Sequence, residues 1–307
     1  MKASVIIPSC RSQKTLPRAL RSLEVAASGL DVETIVVEDA DERGPSWARN
    51  RGLDKAKGDF IFFCDADDTV RPDFFRRLIA LLEGSGADLA ISSFDMAPLK
   101  RDYNLSGLEE VRRVALPAFL GYSVDDVRRW NSGGSLMERR EMGSVCRCAF
   151  RLEFLKRHKI RFDERARLYE DGMFLAECMA FAEKTVSTRE VLYDYVPGVC
   201  GNMATGTNSR RHWDYKFIAL EVRKRIDAAT GGAVWKYCEA SSVFSALEML
   251  SLWRNAGLTF AEFREGLLRY VGDEAVTRAL WRFPLSFRHP LAASAVVFLR
   301  ILAVKHG

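Results

Sequence analysis

Residues 57–68 read KGDFIFFCDADD, and this stretch decides the fold. The segment from Asp59 to Cys64 is rich in phenylalanine and predicts a buried strand. Three carboxylates follow it at once, those of Asp65, Asp67 and Asp68. Ligands of α/β sheets bind beyond the carboxyl ends of the strands, so this change from buried strand to clustered acids predicts a ligand site at the edge of a sheet.

Strands and helices alternate through the first hundred residues around this stretch. The predicted strands are 3–8, 33–38, 59–64 and 88–93, and the predicted helices are 15–27, 47–56 and 72–83. This alternation predicts an α/β fold with a mostly parallel sheet flanked by helices. The carboxyl ends of its strands give four candidate places for a ligand: 8–11, 38–41, 65–68 and Ser93.

The rest of the chain divides at about residue 210. A helix is predicted at 170–183 and a strand at 186–196. Residues 197–209 are rich in Gly, Asn, Thr and Ser, which predicts a mobile loop. From residue 210 onward the pattern is helical, so we predict one domain over 1–209 and a helical C-terminal region over 210–307.

The composition indicates an ordinary globular protein. It has 307 residues, of which 48% are hydrophobic, and a formal net charge of +5. This mild surplus fits a phosphate-bearing substrate or an anionic membrane surface, and we expect no nucleic-acid partner. The seven cysteines are irregularly spaced, which indicates reduced thiols rather than disulfides or a zinc site. No stretch has the pattern of a signal peptide or a membrane span, so we expect a cytoplasmic protein.

The acidic cluster suits a divalent cation. Carboxylate oxygens are hard ligands for Mg²⁺ or Mn²⁺, and carboxylates this close together repel unless a cation or hydrogen-bond donors compensate. A bound ion would bridge a nucleotide diphosphate and stabilise the charge that develops on it as it leaves. On the residues alone, an acidic turn that caps the helix after Pro72 explains 65–68 equally well.

Four segments in a fixed order carry a family resemblance. They are SVIIP at 4–8, IVVED at 35–39, ARNRG at 48–52 and KGDFIFFCDADD at 57–68. Together they resemble the family-2 glycosyltransferases, which have the GT-A fold, strongly over 1–95 and more weakly to about residue 205. The resemblance implies a donor-nucleotide half over 1–95 and an acceptor half over 96–209.

The resemblance implies a nucleotide-sugar donor, with UDP favoured. Pro8 and Ser9 would line the nucleobase pocket, and Asp39 would accept a hydrogen bond from the uracil ring. Arg49 and Asn50 match a family segment that lies near the donor. The alternatives are a turn residue after a strand for Asp39 and a solvated helix residue for Arg49.

The segment Asp65-Ala66-Asp67 would then bind the donor and its Mn²⁺ or Mg²⁺. By the resemblance, Asp67 would be the direct metal ligand. Asp65 would meet the ribose or the outer shell of the metal, with Ala66 beside it in the nucleotide site.

A second acidic pair resembles the acceptor side of the family. In the segment YEDGMF at 169–174, Asp171 would be the catalytic base that deprotonates the acceptor hydroxyl, which gives inversion in one displacement. Glu170 is a further candidate contact to acceptor or phosphate. The alternative is that both acids only favour the N-terminus of a helix.

The sequence departs from the family at several points. The family often has an aromatic residue and Asn after the first strand, where this chain has Cys10 and Arg11. The family's Lys in the middle segment is replaced by Cys148, and Arg147 is a candidate to supply the charge. Arg210 and Arg211 could close over the diphosphate in place of the family's usual loop arginine.

The last stretch, 281–305, is apolar with basic residues and too short to span a bilayer. It could lie in a membrane interface as a peripheral anchor, which suits a lipid-linked acceptor at the inner face of the membrane. The alternative is a helix docked on the core or in a homo-oligomer interface.

The predicted function is an inverting glycosyltransferase, a hexosyl- or hexosaminyltransferase of surface polysaccharide or glycoconjugate synthesis. It would act on a glycan or lipid-linked acceptor. A catalytically degenerate nucleotide- or glycan-binding module is the first alternative. A nucleotidyltransferase is less favoured, because residues 8–12 lack the glycine-rich loop of that class.

Overall fold

The computed structural model describes residues 2–136, 140–196, 209–286 and 288–306. Its strands are β1 Lys2–Ser9, β2 Asp31–Glu38, β3 Phe60–Phe63, β4 Thr69–Val70, β5 Leu89–Phe94, β6 Leu105–Ser106, β7 Cys148–Arg151 and β8 Lys184–Asp194. Its α-helices are α1 Leu16–Ala26, α2 Pro45–Lys55, α3 Phe74–Ser85, α4 Leu108–Leu120, α5 Val124–Asn131, α6 Leu152–Arg157, α7 Glu170–Phe181, α8 Ser209–Ala229, α9 Trp235–Leu252, α10 Phe260–Val271, α11 Glu274–Arg282 and α12 Pro290–His306. The loop predicted at 197–209 lies outside the described residues, apart from the first residue of α8.

The strands form one mixed sheet in the order β2-β1-β3-β7-β5-β8-β4, with β6 also paired to β8. Five of the eight described strands run in the same direction: β1, β2, β3, β5 and β8. β7 runs antiparallel between β3 and β5, and β4 and β6 run antiparallel to β8. The predicted α/β fold with a mostly parallel sheet is confirmed, although the short strand β7 was not predicted.

Phenylalanines on the two faces of β3 fix a helix on each side of the sheet. Neighbouring strand residues point to opposite faces. Phe62 packs edge-to-face on Phe75 of α3, with ring centroids 4.9 Å apart. Phe63 packs in the same way on Phe174 of α7, at 5.9 Å. Because Phe63 lies two residues before Asp65, this contact places the start of α7 next to the acidic turn.

Helix α2 lies close to β1 because of Gly52. A Cβ atom at this position would come within 2.2 Å of Cγ2 of Ile6, so a larger residue would push the helix off the sheet. The close approach buries Arg49, one turn earlier on the same helix, to 2% exposure.

The chain folds as two compact units. The first consists of Met1–Val111 and Glu141–Gly206, and the second of Arg112–Arg140 and Thr207–Gly307. All described strands lie in the first unit, and the second is helical. Residues 112–140, which we predicted within the 1–209 domain, join the helical unit. The physical reason is visible in their packing, since the ring of Tyr122 contacts that of Phe244 on α9 at 4.9 Å.

The cysteines within the described ranges are all free thiols, and only Cys10 is exposed. No helix in the described part of the chain is both long enough and apolar enough to cross a membrane.

Candidate active site

Arg49 is the centre of the candidate active site. Its guanidinium group donates from Nη2 to Oδ1 of Asp65 at 2.9 Å, and from Nη1 to Oδ1 of Asp171 at 2.7 Å and Oε1 of Glu170 at 3.1 Å. Burial opposes the charge, but the three carboxylates outweigh it and raise the pKa of Arg49 well above its ordinary value. One buried cation therefore joins the end of β3 to the start of α7.

Asp171 lies in the first turn of α7. Its Oδ2 accepts a hydrogen bond from the backbone N–H of Val145 at 3.1 Å. This contact depends on a close backbone approach, because a Cβ atom on Gly143 would lie 2.9 Å from Cα of Gly172. Burial raises the pKa of Asp171 to about 7, although Arg49 opposes the rise. A carboxylate with a pKa near neutrality is suited to accept a proton from a hydroxyl group.

The acidic turn is held in place by Asp68, which the sequence analysis counted in the acidic cluster without giving it a separate role. Asp68 is 2% exposed, and its carboxylate accepts from the hydroxyl of Tyr193 at 2.7 Å and the N–H of Val196 at 2.8 Å. The same hydroxyl accepts from the N–H of Asp65 at 3.1 Å. Burial, aided by the negative charge of Asp65, raises the pKa of Asp68 to about 7. Asp68 is therefore a structural acid, and Asp65 and Asp67 are left nearer the surface.

Asp65 and Asp67 fit a divalent cation that takes its other ligands from a substrate. The carboxylate of Asp67 makes no ion pair with any described residue, and its backbone carbonyl accepts a hydrogen bond from Arg18. Burial and the charge of Asp65 raise the pKa of Asp67. Across the described ranges, no three His, Cys, Asp or Glu side chains form a ready metal site. Mg²⁺ typically uses one or two protein carboxylates and completes its shell with water and phosphate, which this pair allows.

The residues predicted to surround the nucleobase lie at the adjacent ends of β1 and β2. Pro8 and Ser9 end β1, and the Ser9 hydroxyl donates to Glu38 at 2.6 Å. Asp39 is 3% exposed, and its two oxygens accept from the N–H groups of Arg43 at 2.9 Å and Gly44 at 2.6 Å. Asp39 therefore stabilises the turn that leads into α2, which agrees with the alternative prediction of a turn residue after a strand. Its recognition of a base stays a prediction.

Asn50 binds the segment at 162–164. Its amide nitrogen donates to the carbonyl of Phe162 at 3.0 Å and to Glu164 at 2.9 Å, and its amide oxygen accepts from the N–H of Phe162 at 3.0 Å. These bonds use both amide hydrogens and one lone pair of the amide oxygen, and the residue is 3% exposed. Asn50 thus holds the segment that leads to α7, and the structure does not bring it to the donor-side acids.

Arg147 does not present its charge to a substrate. Its side chain is fully buried, 3.5 Å from the carboxylate of Glu141, and donates to the carbonyl of Ala97 at 3.1 Å. The charge that we predicted at Arg147 in place of the family's Lys is thus paired inside the first unit.

Arg210 and Arg211 begin α8 in the helical unit. Arg210 is exposed and pairs with Asp214 at 3.7 Å and Glu262 at 3.6 Å. Closure of either arginine over a diphosphate stays a prediction.

One known family matches part of the chain. Residues 40–141 match the family described as glycosyl transferase family 2. This span contains Arg49 and the acidic turn, and over these residues it confirms the resemblance stated from the sequence.

Two relatives share the sequence more widely. The succinoglycan biosynthesis protein ExoO of Rhizobium meliloti (strain 1021) is 30% identical over 202 residues, 57% of this chain and 55% of that protein. The uncharacterised glycosyltransferase EpsJ of Bacillus subtilis (strain 168) is 30% identical over 153 residues, 50% of this chain and 42% of that protein. The chain thus spans about half the length of these relatives.

A solved structure shares the fold over nearly the whole chain. S. aureus TarS 1-349 in complex with UDP-GlcNAc superposes with a TM-score of 0.65, covering 99% of this chain and 91% of that chain at 18% identity. The predicted GT-A fold is confirmed.

Proposed function

We propose that this protein is an inverting glycosyltransferase that moves a hexosyl or hexosaminyl group from a UDP-sugar to a hydroxyl group. The acceptor is a glycan or a lipid-linked sugar. The observation that carries the proposal is the bond pattern of Arg49, which binds Asp65 and Asp171 through one planar group. The donor-side acid and the proposed base therefore face a single site.

The roles of the acids follow from their surroundings. Asp67 lacks an ion-pair partner among the described residues and is the proposed ligand of Mn²⁺ or Mg²⁺, with Asp65 at its outer shell. When bound, the ion supplies Lewis-acid stabilisation of the leaving diphosphate. Asp171 accepts the proton of the acceptor hydroxyl as that oxygen attacks the anomeric carbon. One base and one attack from the opposite face invert the configuration at that carbon.

Arg49 is a positioning residue in this mechanism. It fixes the orientation of Asp171 and keeps part of that carboxylate ionised near neutral pH, because its charge opposes the effect of burial on the pKa. The backbone N–H of Val145 holds the second oxygen of Asp171. Each carboxylate oxygen has two lone pairs, so one remains for the incoming proton.

The comparisons guide the choice of substrates. TarS, which shares the fold, was crystallised with UDP-GlcNAc, so UDP is the first nucleotide to test. ExoO is a succinoglycan biosynthesis protein, which supports a role in surface polysaccharide synthesis. A lipid-linked acceptor would bring the enzyme to the inner face of a membrane. The alternative is that residues 281–305 form the interface of a homo-oligomer.

The first experiment is thermal denaturation of the protein with UDP, GDP or TDP, each with and without Mn²⁺. We expect UDP with Mn²⁺ to raise the Tm by several degrees, because a ligand that binds only the folded state stabilises it. Asp67→Ala should lose the metal-dependent part of this shift. Asp73→Ala is the matched control, since Asp73 lies six residues further on, is exposed and makes no side-chain capping bond.

Transfer is then tested by the release of UDP from UDP-glucose and UDP-GlcNAc. Metal-dependent release that Asp67→Ala abolishes supports the transferase. A nucleotide-dependent Tm shift without any release of UDP would favour a degenerate binding module. No shift with any nucleotide would refute the proposed donor site.

A further inference from the structure

The C-terminal helix α12 carries an exposed apolar stripe. It consists of Leu291, Val297, Phe298, Ile301 and Val304, whose exposures run from 43% to 87%. At 3.6 residues per turn these positions fall within about 140° of the helix surface. Seven of the thirteen large hydrophobic residues that are exposed in the described chain lie in this stripe or just before it, at Trp281 and Leu285. The exposed apolar surface is therefore concentrated in one place.

The stripe is not a loose end of the fold. The opposite face of α12 is buried through Val296, Leu299 and Ala303, and the helix packs against α9, α10 and α11. Arg300 is the one charged residue between Leu291 and Val304. Its side chain donates to the carbonyls of Leu280 at 2.8 Å and Phe283 at 2.9 Å. The guanidinium group of Arg300 thus binds the C-terminal end of α11, and the apolar stripe itself contains no charged residue.

The surroundings of the stripe are basic. Residues 275–307 contain no Asp or Glu, and they contain five Arg and Lys residues. Arg278 and Arg282 on α11 keep 53% and 60% of their side chains exposed, although each also has an acidic partner at 3.6–3.8 Å. Arg288, just before α12, is exposed as well.

We propose that the apolar stripe, together with the basic residues Arg278, Arg282 and Arg288, forms a docking surface for an anionic lipid bilayer. Apolar side chains would enter the boundary between headgroups and acyl chains, and the arginines would meet the anionic headgroups. Trp281, 56% exposed beside the stripe, is the residue type that favours this boundary. A symmetric dimer through the same surface would place like-charged arginines against each other, which is unfavourable.

This inference goes beyond the proposed transfer reaction and can fail independently of it, because binding to vesicles needs no donor sugar. The test is co-sedimentation of the full chain with vesicles of phosphatidylcholine mixed with phosphatidylglycerol, and with vesicles of phosphatidylcholine alone. We expect binding to the anionic vesicles that weakens as salt is added.

Three variants sharpen the test. The double variant Phe298→Ser/Ile301→Ser should weaken vesicle binding at least about ten-fold, because two apolar side chains no longer enter the bilayer. Arg288→Gln should weaken it about five-fold, and only on anionic vesicles. Val25→Ser, at an apolar residue on α1 that is 60% exposed, is the matched control and should bind as wild type does.

Two outcomes would overturn the inference. One is that the double variant binds the anionic vesicles as well as wild type does. The other is that light scattering shows a wild-type dimer that the double variant converts to a monomer, since the stripe would then be a self-association surface. A blue shift of tryptophan fluorescence on vesicle addition, lost in Trp281→Phe, would support the inference by a second measurement.

Discussion

Replacement of Arg49 by Met tests whether this residue holds the active site together. Met fills most of the same volume but offers no donor, so Asp65, Glu170 and Asp171 lose the cation they share. The arginine side chain is only 3% exposed, so solvent cannot easily take its place. The three carboxylates would then repel one another across a poorly hydrated site.

The expected loss of stability follows from this burial. Removal of one partner from a buried ion pair costs about 3–5 kcal/mol of unfolding free energy. The lower end is expected here, because burial already gives Asp171 a pKa of about 7 and the carboxyl group can take up a proton to relieve the repulsion. For a folding unit of this size, that loss lowers the Tm by about 6–12 °C.

The assay combines thermal and urea denaturation with turnover of a UDP-sugar. The stability deficit of Arg49→Met should be larger at about pH 8 than at about pH 6, because the unpaired acids are protonated more fully at the lower pH. Arg49→Lys keeps the charge but not the planar fork that reaches both sides, so we expect partial stability and turnover reduced about a hundred-fold.

Arg51→Met is the matched control. Arg51 lies on the same helix, is 47% exposed, and has ion pairs only at 3.6 and 3.8 Å. Loss of such surface pairs costs about 0–1 kcal/mol. The reasoning is refuted if Arg49→Met and Arg51→Met unfold at the same urea concentration, or if Arg49→Lys turns over at the wild-type rate.

Four further predictions follow from the site. Asp171→Asn should lower transfer by at least about a hundred-fold while UDP still raises the Tm as in wild type; equal losses of both would point to a folding defect instead. Wild-type turnover should fall as the pH drops through about 7, where Asp171 becomes protonated, whereas an unchanged rate down to about pH 5 would exclude it as the base. The same raised pKa makes the folded state less stable as the pH rises from about 4 to about 7, because the unfolded chain loses this proton first. Gly143→Ala should lower both the Tm and turnover, since its Cβ would press on the backbone of Gly172, and Gly84→Ala, where the added Cβ meets open space, is the control expected to be neutral or stabilising.

The first hundred residues could be predicted well because their patterns are local. Strand β3 and the turn after it are fixed by a run of phenylalanines followed by acids, which allows few other structures. Residues 112–140 were assigned to the wrong side of the boundary because helix periodicity shows which face is apolar but not which partner covers it. Strand β7 escaped prediction because its four residues are too few to show a period.

The contacts between the residues of the site were harder to predict than the residues themselves. Arg49 and Asp171 were both named from the sequence, yet they are 122 residues apart and no local pattern joins them. The signal that could have joined them is physical: a helix that lies tight against a strand buries its inward Arg, and a buried Arg needs carboxylates. The structural role of Asp68 was missed for the same reason, because Tyr193 comes from a strand 125 residues further on.

The two adjacent residues Arg49 and Asn50 have a consequence for segment exchange between relatives. Asn50 clamps the backbone at Phe162, and Arg49 binds the acids that begin α7. Both sets of contacts depend on Gly52, because the absence of a side chain there lets α2 pack close to β1. Residues 49–52 and residues 160–171 therefore form one structural unit, although they are far apart in the sequence. A chimera that imports residues 160–171 from a relative without the matching helix would lose the hydrogen bonds of Asn50 and the ion pairs of Arg49 together.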